Sequence, residues 1–139
     1  MSVADTVIRR WFLELWNKGK IELFPQLAHP DVVFYTIGTQ GEQLVGLKGF
    51  HKLYDPLRAA FSDIAFVVEE TIESGDSAAV RWSCTMKHVG DQMGVRASGR
   101  TVRISGMGFV HFRDGKVTKV WDEWDRLGFA KQIGVPLQA

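Results

Sequence analysis

The chain has 139 residues, enough for one well-buried core and too few for two ordinary domains, so a single domain over 1–139 is expected. Apolar residues make up 45% and charged residues 24%, the balance of a soluble globular protein rather than a disordered one. Seventeen Lys and Arg against 16 Asp and Glu leave a formal charge of +1 with no basic track for nucleic acid, and no apolar run approaches the ~20 residues that span a bilayer.

The lone Cys84 excludes an internal disulfide and a Cys-based zinc site, and the histidines at 29, 51, 88 and 111 lack metal-ligand spacing. No metal or cofactor is expected. No basic-then-apolar leader opens the sequence, so the cytoplasm is the expected location.

Ile8, Trp11, Phe12, Leu15 and Trp16 recur at helical spacing, with Ser2 or Asp5 as candidate N-caps and Asn17 to Gly19 as the stop. Ile21, Phe24 and Leu27 predict a short helical turn that ends before His29-Pro30, because a residue preceding proline avoids the helical region. Asp31 to Thr36 is extended. After a glycine-containing loop from Ile37 to Gly46, Phe50, Leu53, Tyr54, Leu57 and Phe61 share a helical face. Everything beyond Asp63 reads as sheet: Ile64, Phe66 and Val68 alternate, and Glu73 to Asp76 is a turn cluster.

The next strand is the most regular. Ala78, Val80, Trp82, Cys84, Met86 and His88 fall on one face, while Ser77, Arg81, Ser83, Thr85 and Lys87 fall on the other. A loop from Val89 to Gly99 precedes an even-numbered row of Val102, Ile104, Gly106, Gly108, Val110 and Phe112. Arg113-Asp-Gly115 signals a hairpin into the last strand. A three-residue loop there would set Phe112 opposite Lys116, Gly108 opposite Val120 and Gly106 opposite Asp122. Helices first and antiparallel strands afterwards imply an α+β domain in which a curved sheet wraps around the N-terminal helices.

Asp122 stands out on the last strand, where it shares a face with Val120 and Trp124. Burial raises the pKa of a carboxylate, which suits a group that takes up and returns protons near neutral pH. The alternative is a structural acid tied to Arg81, Arg103 or backbone donors. Gly106 and Gly108 leave space beside it, or mark a bulge or bend in the sheet; the two readings are compatible. The walls of such a pocket would include Trp82, Met86, Val110, Phe112, Val120 and Trp124 from the sheet, with Phe12, Trp16 and Phe34 from the elements before it. A flat, hydrophobic, partly aromatic small molecule suits those walls.

Glu123 and Asp125 have the opposite parity, and Asp125 is a candidate cap for the turn before Arg126-Leu-Gly128. Tyr35 and Thr36 end the first strand, where either could bond a ligand or serve only as a strand end. Cys84 reads as a small core residue rather than a nucleophile. On the odd-numbered face of the last hairpin, Met107, Phe109 and Trp121 carry more apolar surface than a solvated face requires, which predicts a homodimer formed sheet to sheet.

Trp11-Phe-Leu-Glu-Leu-Trp-Asn-Lys-Gly19, Leu27-Ala-His-Pro-Asp-Val-Val-Phe34 and Gly46-Leu-Lys-Gly-Phe50 occur in the order of the SnoaL-like polyketide cyclase family, which the chain resembles. So do Val80-Arg-Trp82, His88-Val-Gly90, Gly99-Arg-Thr-Val102, Phe112-Arg-Asp-Gly115, Val120-Trp-Asp122 and Asp125-Arg-Leu-Gly128, so that the likeness covers nearly the whole chain. The resemblance implies the cone-shaped fold shared with nuclear transport factor two and ketosteroid isomerases. It implies that Asp122 is the acid and base of an intramolecular aldol condensation without metal or cofactor. His88, similar to the family's His-x-Gly motif, is the second candidate catalytic residue, able to hydrogen-bond a substrate carbonyl or adjust the aspartate; a solvated or structural strand-end histidine is its alternative. The family's histidine on the strand before the acid has no counterpart, since Gly106 and Gly108 occupy the matching positions.

The leading expectation is therefore a cofactor-independent cyclase or isomerase acting on a hydrophobic polyketide-like carbonyl compound. A non-catalytic hydrophobic ligand-binding domain and an accessory protein of polyketide hydroxylation are the alternatives.

Overall fold

The computed structural model describes residues 1–35 and 43–135. Thr36 and the 37–42 part of the expected loop lie outside the described residues.

Helix α1 (Val3–Arg10) starts as expected, with the Ser2 side chain accepting the Asp5 backbone N–H at 2.9 Å. It does not continue as an α-helix. Trp11–Trp16 is a π-helical turn, in which the Asn17 N–H reaches back five residues to the Phe12 carbonyl at 3.0 Å. Winding to i+5 brings Trp11 and Trp16 towards the same side. A 3₁₀ turn (Ile21–Leu23) and α2 (Phe24–Leu27) follow, ending before His29-Pro30 as expected.

Strand β1 (Ala28–Tyr35) begins earlier than the expected Asp31 and runs parallel to the last strand. Its register slips between Ala28 and Val33, the stretch that holds Pro30, which has no N–H to give to a ladder. The short β2 (Leu44–Val45) pairs with its outer edge, and α3 spans Gly46–Ala60. Phe61, expected on that helix, opens β3 (Phe61–Ser74) instead. Asp63 then takes a left-handed backbone (φ 53°) at a bulge, which switches the inward parity from Phe61 to Ile64, Phe66 and Val68. Strands β4 (Ser77–His88), β5 (Thr101–Arg113) and β6 (Lys116–Trp124) complete a six-stranded mixed sheet of order β2-β1-β6-β5-β4-β3.

A C-terminal helix, α4 (Arg126–Ile133), follows where only sheet was expected. Asp125 caps it by accepting the Gly128 N–H at 2.8 Å, and Gly134 closes it in the left-handed conformation (φ 87°). The architecture is thus α+β, a mixed sheet with helices packed on its inner face. The even residues of β4 point inward as predicted: Ala78, Val80, Trp82, Cys84, Met86 and His88 are all buried. Burial of the Val80 and Met86 side chains contributes about 1.5–3 kcal/mol each.

The β5–β6 hairpin corrects the expected register. Arg113 pairs with Lys116, and Asp114 and Gly115 form a two-residue turn with φ of 53° and 75°, the type I′ geometry that suits a right-twisted hairpin. Such a turn alone would pair even residues of β5 with odd residues of β6. A bulge at Thr118 restores the match, because Phe112 pairs with Val117 and His111 with Lys119. Beyond it Val110 faces Val120, Gly108 faces Asp122 and Gly106 faces Trp124, two residues from the predicted partners but with inward parity preserved.

Candidate functional site

The bulge decides where the carboxylate points. With Thr118 looped out, Val120, Asp122 and Trp124 share the inner face with Gly108 and Val110, and Asp122 opens into a cavity between the sheet and the helices. About 100 Å³ of this space is open to a guest. Its walls are apolar. Val7 and Ile8 of α1, Trp11, Phe12 and Trp16 of the π turn, and Phe50, Leu53 and Leu57 of α3 form the helical side. The sheet contributes Phe34, Trp82, Met86, Val110, Val120 and Trp124 among others. Among the described residues that line it, Asp122 is the single ionisable side chain.

Burial pushes the Asp122 carboxyl up to about 7; a hydrogen bond from Trp82 pulls it down, neighbouring Glu123 adds to the rise, and Arg126 opposes it. Asp122 keeps partial accessibility because one side of it is cavity rather than packed protein. That space is itself hydrophobic, so desolvation still dominates. The Trp82 N–H donates to Asp122 Oδ1 at 3.1 Å. Neither arginine named as an alternative partner is among the groups that shift the carboxyl, and the Arg81 guanidinium pairs with Glu70 at 3.2 Å.

The two glycines have different uses. A Cβ at Gly106 would lie 2.5 Å from Trp82 Cζ2 and 2.8 Å from Trp124 Cβ, so the space the missing side chain leaves is filled by the indole. Gly108 is on the cavity wall, where a Cβ would sit 3.5 Å from Asp122 Oδ1. The expected opening beside the carboxylate is therefore at Gly108 alone.

Of the predicted site residues, Asp122, Trp82, Met86, Trp124, Phe12, Trp16, Phe34 and Val110 converge on this cavity. Phe112 does not line it; it bridges the two core clusters near the hairpin end. His88 is also absent from the wall, and it cannot partner Asp122. Asp122 is level with Gly108 and hence Val80, and His88 is eight residues further along β4, or about 26 Å at ~3.3 Å per residue. Its ring is fully buried and stacks on Phe61 at 5.2 Å. Its Nδ1 accepts the Ser98 N–H at 3.1 Å, and its backbone bonds to Arg100 and Gly99, so the residue ties down the 89–100 loop.

Sequence reasoning missed Trp11, Phe50, Leu53 and Leu57 as cavity walls, although their helical periodicity had placed them on apolar faces. Cys84 is core as expected, its thiol pushed up to about 12 by burial. Among the described residues no three His, Cys, Asp or Glu side chains converge to hold a metal, and no helix is long and apolar enough to cross a membrane.

A profile of the SnoaL-like polyketide cyclases matches residues 6–133. The chain belongs to that family. Within it, the chain is 28% identical over 137 residues to aklanonic acid methyl ester cyclase DnrD of Streptomyces peucetius, covering 98% of this chain and 94% of that protein. It is 29% identical over 138 residues to aklanonic acid methyl ester cyclase AcmA of Streptomyces galilaeus, again covering 98% and 94%. Among solved structures, IdmH from Streptomyces antibioticus superposes with a TM-score of 0.80 at 25% identity, over 97% of this chain and all of the other. The SnoaL-like fold expected from the sequence is thus the one the chain adopts.

Proposed function

We propose that this SnoaL-like protein is a cofactor-independent cyclase that closes a ring in a hydrophobic carbonyl compound by an intramolecular aldol step, with Asp122 as acid and base. The observation that carries the reading is a lone carboxyl, Asp122, facing an apolar cavity, where burial pushes its pKa up to about 7. At neutral pH such a group is a base in about half the molecules and an acid in the rest. The Asp122 carboxylate takes a proton from a carbon flanked by carbonyls, and the electron pair moves into an enolate. The enolate carbon attacks a second carbonyl of the same molecule, a C–C bond forms, and the new alkoxide recovers the proton from Asp122. No metal or redox partner is needed, because the flanking carbonyls already acidify the C–H bond. Apolar walls hold the chain folded for ring closure, which converts entropy already lost on binding into rate.

Aklanonic acid methyl ester, named for both relatives, is the first substrate to test. Incubation is expected to give a ring-closed isomer of unchanged mass, and in D₂O the recovered, uncyclised substrate is expected to take up deuterium at the enolising carbon faster than in buffer alone. Tight binding of that ester and of simpler aromatic 1,3-dicarbonyls, with neither exchange nor closure, would overturn the reading in favour of a binding domain.

The outer sheet face supports a homodimer within the same proposal. Met107 is 64% and Phe109 45% exposed, next to Trp121, on which Tyr35 stacks at 4.9 Å and 10°. Sedimentation is expected to give a dimer at micromolar concentration and a monomer for Phe109→Asp. A wild-type monomer would contradict it.

A further inference from the structure

Trp82, Gly106 and Asp122 act as one unit across three strands. Trp82 of β4 stands opposite Gly106 of β5, which stands opposite Trp124 of β6; Asp122 is one same-face position away. To reach the carboxylate the indole must cross the backbone of Gly106, and the 2.5 Å clearance to a Cβ there shows that any side chain at 106 would displace it. The ring is 3% exposed and is gripped by Phe12 at 6.1 Å and, edge-on, by Phe66 at 5.3 Å. With its ring so fixed, the N–H can aim only where it does, at Asp122 Oδ1.

We propose that Trp82 is the positioning residue of Asp122, holding Oδ1 so that the carboxyl plane is fixed beside the open space over Gly108, with Gly106 as the clearance that lets the indole arrive. The role rests on Asp122 being the acid and base of the proposed reaction. An indole N–H suits it chemically, being a donor only: it steadies the carboxylate without competing for the proton in transit. A histidine in that place would itself exchange protons; Trp82 leaves the whole proton inventory of the cavity on one residue.

The charges that face Asp122 are few. Glu123 and Arg126 are the neighbours that act on it, and no other ionisable group projects into the cavity from α1, the π turn, α3, β1, β3, β4 or β5 among the described residues. Loss of the indole donor therefore has one direction of effect. It removes a stabiliser of the anion, so the carboxyl must hold its proton to higher pH.

The test is a ¹³C-carboxyl NMR titration of Asp122 in the wild type, Trp82→Phe and Gly106→Ala. Both variants are expected to move the midpoint upward by about half a unit or more, at least ~3-fold in proton affinity. A tryptophan that merely filled the core would lower the melting temperature and leave the midpoint in place. Should a variant fail to fold, the unmodified protein still decides: the Trp82 indole N–H resonance is expected to shift with the Asp122 midpoint between about pH 5 and 9. A folded Trp82→Phe with an unmoved midpoint, or an indole resonance flat through the Asp122 transition, would overturn the proposal. The titration needs no substrate, so failure of the cyclase assay and failure of this inference are distinguishable.

Discussion

Asp122→Asn is expected to lower ring-closing turnover by about 10²–10⁴-fold while leaving substrate affinity within a few-fold. The substitution keeps the shape and the acceptor for the Trp82 N–H at Oδ1, and removes the group that exchanges a proton. The lining among the described residues offers no second acid or base to take over. The residual rate would measure what the apolar walls achieve by folding the substrate. The wild-type rate should rise with pH through the Asp122 midpoint near 7 and level off above it, since the base form starts the reaction. Turnover of the Asn variant within about threefold of wild type would remove Asp122 from the chemistry.

The same variant is expected to be more stable than the wild type above neutral pH, by about 2–4 kcal/mol. Folding raises the carboxyl midpoint from its ordinary 3.8 to about 7. Below about pH 4 both folded and unfolded chains carry the proton, and the site costs nothing. Between about 4 and 7 the unfolded chain releases the proton and the folded chain retains it, so wild-type stability falls as pH rises; above about 7 both are ionised and the penalty is constant. Urea unfolding of the two proteins at about pH 4.5 and pH 8 reads this directly. The gap should be small at the lower pH and wide at the higher one. A wild type that gains on the Asn variant as pH rises would mean that the carboxylate is paired and favoured in the fold, against the present account.

Regular elements declared themselves through burial. The alternation of Ala78 to His88 needed only period two, and Asp122 was visible as a charge between Val120 and Trp124. What sequence reasoning could not supply were the irregularities that aim those side chains. One bulge at Thr118, with no glycine or proline to mark it, set Asp122 against Gly108 instead of Gly106. Another at Asp63 set Phe61, already in the strand, and Ile64 on the same inner face. The first shifted the register and kept the parity that the hydrophobic pattern controls; at the second, the helix ended one residue early and the parity switched within the strand.

His88 shows the opposite limit. Its inward parity was right, yet position along a strand is not encoded in parity, and about 26 Å separates it from the carboxylate level at ~3.3 Å per residue. Trp82 was readable as a wall residue, but its role as hydrogen-bond donor to Asp122 depends on the empty place at Gly106 two strands' pairing later. Helix α4 had signals that were used only in part: Asp125 was recognised as a cap, and Gly134 as its stop was not.

Asp122 faces an apolar cavity, where burial pushes its carboxyl up to about 7. The most direct test is the carboxyl titration of the wild-type protein alone, with the Asp122 resonance assigned by its loss in Asp122→Asn. A midpoint near 7 is expected. A midpoint near 4, the ordinary value for a solvated aspartate, would contradict it.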